Sequence, residues 1–277
     1  MKKIIWVTSY PKSGNTWMRY LLSNYFYNHN GVFDPKIIKH IDRLELPKNM
    51  MMFNDNGKIS INKISQYWIP AQKKLQNKEI KFIKNHSANL TLDNNNFTNE
   101  EQSLAIIQVV RDPRDIVVSG LNFWNIDNYD EMIEKICCDE FFTIYQKENP
   151  HKIEVIGTWK VNFLSWSGSL KSVPKIIIRY EDMIKNTEDQ LFRVLKFLSN
   201  LMSVKIDKKK ILLSVKNSNF LKLSEAESKG EFTENVQKRG KFFREGKCGQ
   251  YKEELNTNQI KKIENSFYKE MLFLGYI

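Results

Sequence analysis

Residues 5–22, IWVTSYPKSGNTWMRYLL, restrict the fold more than any other part of the chain. Ile4, Ile5, Trp6 and Val7 form a β-branched and aromatic run, while Trp17, Leu21, Leu22, Tyr25 and Phe26 recur at helical spacing. A buried strand must therefore turn sharply into an amphipathic helix within residues 10–14. Such a turn aims the unpaired N–H groups of the first helical turn, and the positive end of the helix dipole, at one point. Lys12 brings a mobile full charge to that point, Ser13 and Thr16 bring hydroxyls, and Gly14 lets the backbone approach closely. The segment predicts a phosphate-binding loop in an α/β chain.

The loop differs from that of nucleotide hydrolases, G-x-x-x-x-G-K-[ST], where lysine follows the second glycine and a hydroxyl holds magnesium. Here Lys12 precedes the loop's single glycine. Residues 105–124, AIIQVVRDPRDIVVSGLNFW, repeat the strand–turn–helix plan. Asp112 suits an N-cap and Pro113 the first helical position. Arg111 thus falls at a strand's carboxyl end, where open α/β sheets bind ligands, and Ser119 lies two turns into the helix. A planar guanidinium can grip a phosphate dianion with two parallel bonds, although local pairing with Asp112 or Asp115 is the plainer reading. A metal-using phosphotransferase would tend to place an acid there.

Between these motifs, residues 80–86, IKFIKNH, read as a third strand ending in a polar turn that carries Lys84 and His86. An imidazole with an ordinary pKa near 6.5 is largely neutral at pH 7 and can accept a proton. His29, His40 and His151 lack such a setting and are read as ordinary surface or core residues. Residues 175–183, KIIIRYEDM, give a fourth strand and a helix start. Residues 239–252, RGKFFREGKCGQYK, form a glycine-punctuated basic loop suited to wrapping an anion.

The order YPKSGNTW, Lys-x-His, Arg followed eight residues later by Ser, Tyr-Glu-Asp and a basic C-terminal loop resembles the cytosolic-type sulfotransferases that use 3′-phosphoadenosine-5′-phosphosulfate (PAPS). The resemblance spans residues 4–252. It implies an α/β fold of the P-loop NTPase-like kind, with three layers and a central, mostly parallel β-sheet flanked by helices. It implies transfer of a sulfuryl group to an acceptor hydroxyl, or an amine, leaving adenosine 3′,5′-bisphosphate (PAP). His86 would be the base and Lys12 and Lys84 the cations at the transferred group. Lys12, Ser13, Gly14, Asn15, Thr16 and Trp17 would hold the 5′ end of the donor and the adenine. Arg111, Ser119, Arg244 and Gly246 would hold the 3′-phosphate, and Tyr180, Ser218 and Phe220 the purine. Tyr251 replaces the family's tryptophan, and two further departures from the family pattern matter more: Glu245 stands where lysine is usual, and Gln250 where aspartate is usual.

Composition sets limits on this. A chain of 277 residues with 41% hydrophobic content can bury one sizeable core, so a single domain over 1–277 is expected. Its acceptor-side excursion would lie at residues 28–79 and its cofactor loop at residues 226–256. No apolar run reaches membrane-spanning length, and three cysteines form neither a disulfide framework nor a zinc spacing. A cytoplasmic setting and no metal are expected. The net charge of +11 is read as a solvated surface with a few cations reserved for the donor, rather than as a nucleic-acid face. Helices are predicted at 129–146, at 154–166, at 188–198 with Thr187 as cap, and at 256–274. Tyr67, Trp68, Phe123, Trp124 and Phe142 either line an acceptor pocket or belong to the core. The acceptor, whether small molecule, lipid or sugar, and the oligomeric state stay open. A magnesium-dependent P-loop kinase is the alternative reading.

Overall fold

The computed structural model describes residues 4–44, 61–75, 79–137, 143–144, 154–232 and 241–277. In chain order the elements are β1 (Ile4–Ser9), α1 (Asn15–Tyr27), 3-10 turns at Ile37–His40 and Ile61–Tyr67, α2 (Trp68–Leu75) and β2 (Lys81–Asn85). Then come β3 (Thr91–Leu92), β4 (Asn95–Asn96), β5 (Ser103–Val110), α3 (Pro113–Trp124), α4 (Tyr129–Cys137), β6 (Thr143–Ile144) and β7 (Glu154–Val155). The chain finishes with α5 (Trp159–Ser167), β8 (Lys175–Arg179), α6 (Tyr180–Lys185), α7 (Thr187–Ser199), α8 (Lys208–Asn217), α9 (Phe220–Ser228), α10 (Tyr251–Glu254) and α11 (Thr257–Leu274). The described residues fall into two compact units, one within 1–10, 41–109 and 139–177, the other within 11–40, 110–138 and 178–277.

The first unit is organised by the expected sheet, whose strand order is β2-β1-β5-β8. β1 runs parallel to both β2 and β5, and all six of its residues are buried, as a central parallel strand requires. Its register sets Thr8 against Asn85 and Ser9 against Val109, so the strand ends are level. Trp6 packs against Phe97 and Trp166 and satisfies its indole N–H on Ser103 Oγ at 2.9 Å. Trp68 is 2% exposed in the same cluster, with Tyr67 packed against it. Trp68 is thus a core residue here, with Tyr67 half-buried beside it.

The second unit is helical. Tyr20, Ile37, Ile38, Leu223, Phe232 and Phe243 make a buried cluster, with Trp17, Phe33, Phe220 and Phe242 packed on it. Asp112 caps α3 by accepting from the Arg114 N–H at 2.9 Å, with Pro113 at the first position, as the sequence predicts. Asn256 opens α11 with a full capping box.

Three helix expectations need correction. The one at 129–146 stops at Cys137, and Thr143–Ile144 pairs antiparallel with Glu154–Val155. The one at 154–166 begins only at Trp159, because Gly157 adopts φ +70 and Thr158 then caps the helix. At 187–199 the cap is Asn186, which accepts from the Asp189 N–H, while the Thr187 hydroxyl donates to the Met183 carbonyl. Met50 to Phe53, Phe142, His151 and Arg239 lie outside the described residues.

Candidate functional site

The phosphate loop belongs to the second unit. Lys12 has φ 68 and Gly14 φ 97, so the turn is made by two left-handed residues, and no side chain caps α1. A Cβ on Gly14 would stand 2.6 Å from Tyr180 Cδ2, so only glycine fits. The Lys12 ammonium lies 4.4 Å from the Phe242 ring centroid and 5.4 Å from that of Phe123. Burial, then the positive charges of Arg111 and Arg244, lower its pKa to about 8, against the opposing pull of Glu227. A cation so placed gains from an arriving anion.

Arg111 knits this loop together. Its Nη1 donates to the Lys12 carbonyl at 3.2 Å, its Nη2 to the Lys247 carbonyl at 2.9 Å, and its guanidinium lies 4.4 Å from the Tyr180 ring centroid. Asp115 is 3.8 Å away, but that carboxylate accepts from the Gly249 and Tyr251 N–H groups at 2.7 and 3.1 Å. The local Arg–Asp pair is therefore a minor part of the arginine's environment. Among the described residues, Arg111 Nε and the fully buried Ser13 Oγ have no hydrogen-bond partner. Buried polar atoms are rarely left so, and these two are donors flanked by cations. A phosphate group fits this set, and PAP or PAPS with its two anionic ends fits it better than a metal ion would.

Around the loop, the Trp17 indole donates to the Ser218 carbonyl at 2.9 Å and meets Tyr180 edge-on at 5.9 Å. Ser218 is buried and accepts from Asn24 Nδ2 at 3.3 Å. Phe220 begins α9 directly beneath Gly246, where a Cβ would come within 2.5 Å of its ring. Asn15 and Thr16 open α1. Ser119 is half-buried in α3, and Arg244 Nη1 reaches the carbonyl of the preceding Val118 at 3.4 Å. Two of the departures from the family pattern satisfy one another: Gln250 Nε2 donates to Glu245, and Gln250 Oε1 accepts from Arg244 Nη2 at 2.6 Å. Lys247 stands 4.0 Å from Glu245.

His86 and Lys84 belong to the first unit. His86 follows β2, and its Nδ1 lies 2.8 Å from the Ser9 carbonyl. That nitrogen must donate, which fixes the tautomer and leaves Nε2 as the acceptor. Burial, then the charge of Lys84, push its pKa down to about 3, only partly offset by Glu154 and the Ser9 carbonyl. His86 is neutral throughout the physiological range. Its backbone is clamped by Asn162, whose Nδ2 donates to the His86 carbonyl at 2.8 Å and the Ile156 carbonyl at 3.0 Å.

Lys84, expected as a second cation near the transferred group, is engaged in an ion pair here. Its ammonium is 2% exposed and bonded to Glu154 Oε1 at 2.8 Å. The lysine holds the Glu154 carboxyl below the usual carboxylate range. Glu154, Asn162 and Glu227 escaped the sequence reading: an acid or amide among apolar residues, or one acid in the polar run SEAESKG, carries no motif. The pairing of β7 with the segment after His86 is what brings Glu154 to Lys84: the Ser87 hydroxyl accepts from the Val155 N–H, and the Ala88 N–H donates to the Val155 carbonyl.

Among the described residues no helix is long and apolar enough to cross a membrane. The sequence is 25% identical to mouse sulfotransferase 1 family member D1 across 96% of this chain and 83% of that protein. It is 22% identical to sulfotransferase 2A1 of Macaca fascicularis across 60% of this chain and 56% of that one. In structure it is similar to a mouse sulfotransferase complexed with PAP, with a TM-score of 0.63 at 17% identity over 98% of this chain and 85% of the other. The sulfotransferase domain profile matches residues 2–274. With that match running through both units and every motif of the phosphate loop, the chain belongs to the sulfotransferase domain family.

Proposed function

We propose that this PAPS-dependent sulfotransferase passes the sulfuryl group in line to a hydroxyl, or an amine, of a small-molecule acceptor. The observation that carries the residue assignment is the pair of buried, unpartnered donors: Ser13 Oγ, in the loop that holds Lys12, and Nε of Arg111, which bonds that loop through the Lys12 carbonyl. Lys12 and the N–H groups opening α1 meet the charge that grows on the 5′-phosphate oxygen as the sulfur–oxygen bond breaks. Arg111, Ser119 and Arg244 take the 3′-phosphate and so fix the donor's register. Trp17, Tyr180 and Phe220 offer the adenine apolar faces. His86 Nε2 takes the acceptor's proton, its orientation held by the Ser9 carbonyl. Lys84 acts through its pair with Glu154, setting the field around His86. Lysine and arginine meet the donor's charge, so no metal is assigned a step.

The mouse enzyme complexed with PAP and the sulfotransferase relatives support the donor. The rabbit relative is an amine sulfotransferase, which keeps an amine acceptor beside a hydroxyl. A single domain and a cytoplasmic setting belong to the same reading. Calorimetric titration with PAP, 5′-AMP and ATP-Mg tests it. Tight binding of PAP alone is expected, followed by sulfation in an acceptor screen with PAPS. Preference for ATP-Mg would restore the kinase reading.

A further inference from the structure

We propose that Glu227 is a positioning residue for Lys12, holding the aromatic seat of its ammonium and keeping that ammonium charged before the donor arrives. The inference rests on the donor reading above. Glu227 sits in the last turn of α9, and its two carboxylate oxygens accept the N–H groups of Phe242 and Phe243 at 2.5 and 2.9 Å. Two charge-assisted bonds to consecutive amides fix that short segment. Phe243 is thereby buried against Phe220 and Phe232, and the Phe242 ring is presented to Lys12 at 4.4 Å. The same side chain thus builds the surface on which the lysine rests.

It also supplies a charge. The groups that act on Lys12 are Arg111 from the turn before α3, Arg244 from the C-terminal loop and Glu227 from α9. Two of the three are cations, and burial adds to their effect. Glu227 is the opposing group. Without that carboxylate the lysine would give up its proton at a lower pH and, once neutral, lose its attraction for both the aromatic faces and a phosphate. A carboxylate beside a site for a double anion would otherwise repel the ligand, so its place behind the Phe242–Phe243 turn resolves the conflict. The amides it binds turn its lone pairs away from the ligand, while its charge still reaches the lysine.

The sign of the effect is fixed. Bound phosphate raises the Lys12 pKa, so binding takes up a proton wherever the free lysine is neutral. Affinity for PAP is then level below the free-state pKa and falls by up to about tenfold per pH unit above it. Phosphate groups are fully ionised above about pH 7, so the break reports the protein.

Titration of PAP from pH 6.5 to 9.5 into the wild type, Glu227→Gln, Lys12→Met and the double variant tests this. The wild-type break is expected near pH 8. Glu227→Gln keeps size and an acceptor but loses charge, and its break is expected about half a pH unit lower. In the Lys12→Met background both profiles lose the break. Glu227→Asp, whose charge retreats by one methylene, moves the break the same way by less and serves if the glutamine variant does not fold. A folded Glu227 variant that binds PAP with an unmoved break overturns the proposal alone. A wild type that fails to bind PAP overturns the donor reading and this proposal with it.

Discussion

The ion pair between Lys84 and Glu154 offers a sharp test of how the base is held. The side chains are 2% and 9% exposed and meet at 2.8 Å. Removing one partner of such a pair leaves an uncompensated buried charge, which costs about 3–5 kcal/mol. Replacing both with apolar groups of similar volume is roughly neutral. Lys84→Met and Glu154→Leu should therefore each lower stability by about 3–5 kcal/mol, or about 6–15 °C in Tm at about 2–3 °C per kcal/mol. The double variant should recover most of that loss. Urea unfolding of the four proteins at pH 7 measures the cycle directly. Because Lys84 holds the Glu154 carboxyl below its ordinary pKa, the coupling is fully present above the ordinary carboxylate pKa. It fades as pH falls through the folded value. A parallel turnover assay separates stability from chemistry, since the double variant should be stable yet slow. Single variants within about 1 kcal/mol of wild type would show that the pair is solvated and refute the reasoning, because an exposed pair has about that value.

The remaining expectations concern the loop and the base. His86→Ala should lower turnover at least ~100-fold while leaving PAP affinity unchanged; normal turnover would remove His86 from the mechanism. Because the His86 pKa is pushed down to about 3, kcat at saturating PAPS, where ionisation of the free donor does not limit binding, should be level from pH 7 to pH 5, and an acid limb centred near the ordinary 6.5 would contradict that depression. Lys12→Ala should cost at least ~100-fold in turnover, read by steady-state kinetics. Gly14→Ala places a Cβ 2.6 Å from the Tyr180 ring at φ 97, and should cost about 2 kcal/mol or more in PAP binding by calorimetry. Asn162→Ala, which frees the His86 carbonyl, should lower kcat about tenfold with KM unchanged; an equal rise in KM would point to the acceptor site instead.

Local chemistry made much of this legible. Residues 4–27 encode their strand, turn and helix in periodicity and turn residues, and they fold as read. Arg111 and His86 could be singled out because each follows a strand, a place defined by the apolar run before it. The misses share a cause. Helix 129–146 was overextended because helical spacing does not show where a short antiparallel pair with β7 takes over. The partner of Lys84 was not legible because it is 70 residues away in sequence and has no motif of its own. Trp68 could be pocket or core by composition, and only packing against Phe97 and its neighbours decides. Asn186 displaced Thr187 as a cap because either side chain can do the task and the backbone chose.

The two carbonyls gripped by Arg111 belong to residues 12 and 247. A ribosome making this chain delivers the phosphate loop first and the arginine's second anchor 136 residues after the arginine itself. Until residue 247 has emerged, that guanidinium has one of its two tethers. A nascent or truncated chain can therefore form strands, helices and an aromatic core and yet lack an organised donor site. Loss of the segment that carries Lys247, by a nonsense codon or a protease, would leave the phosphate loop at residues 10–14 without that brace, with little warning in secondary-structure content.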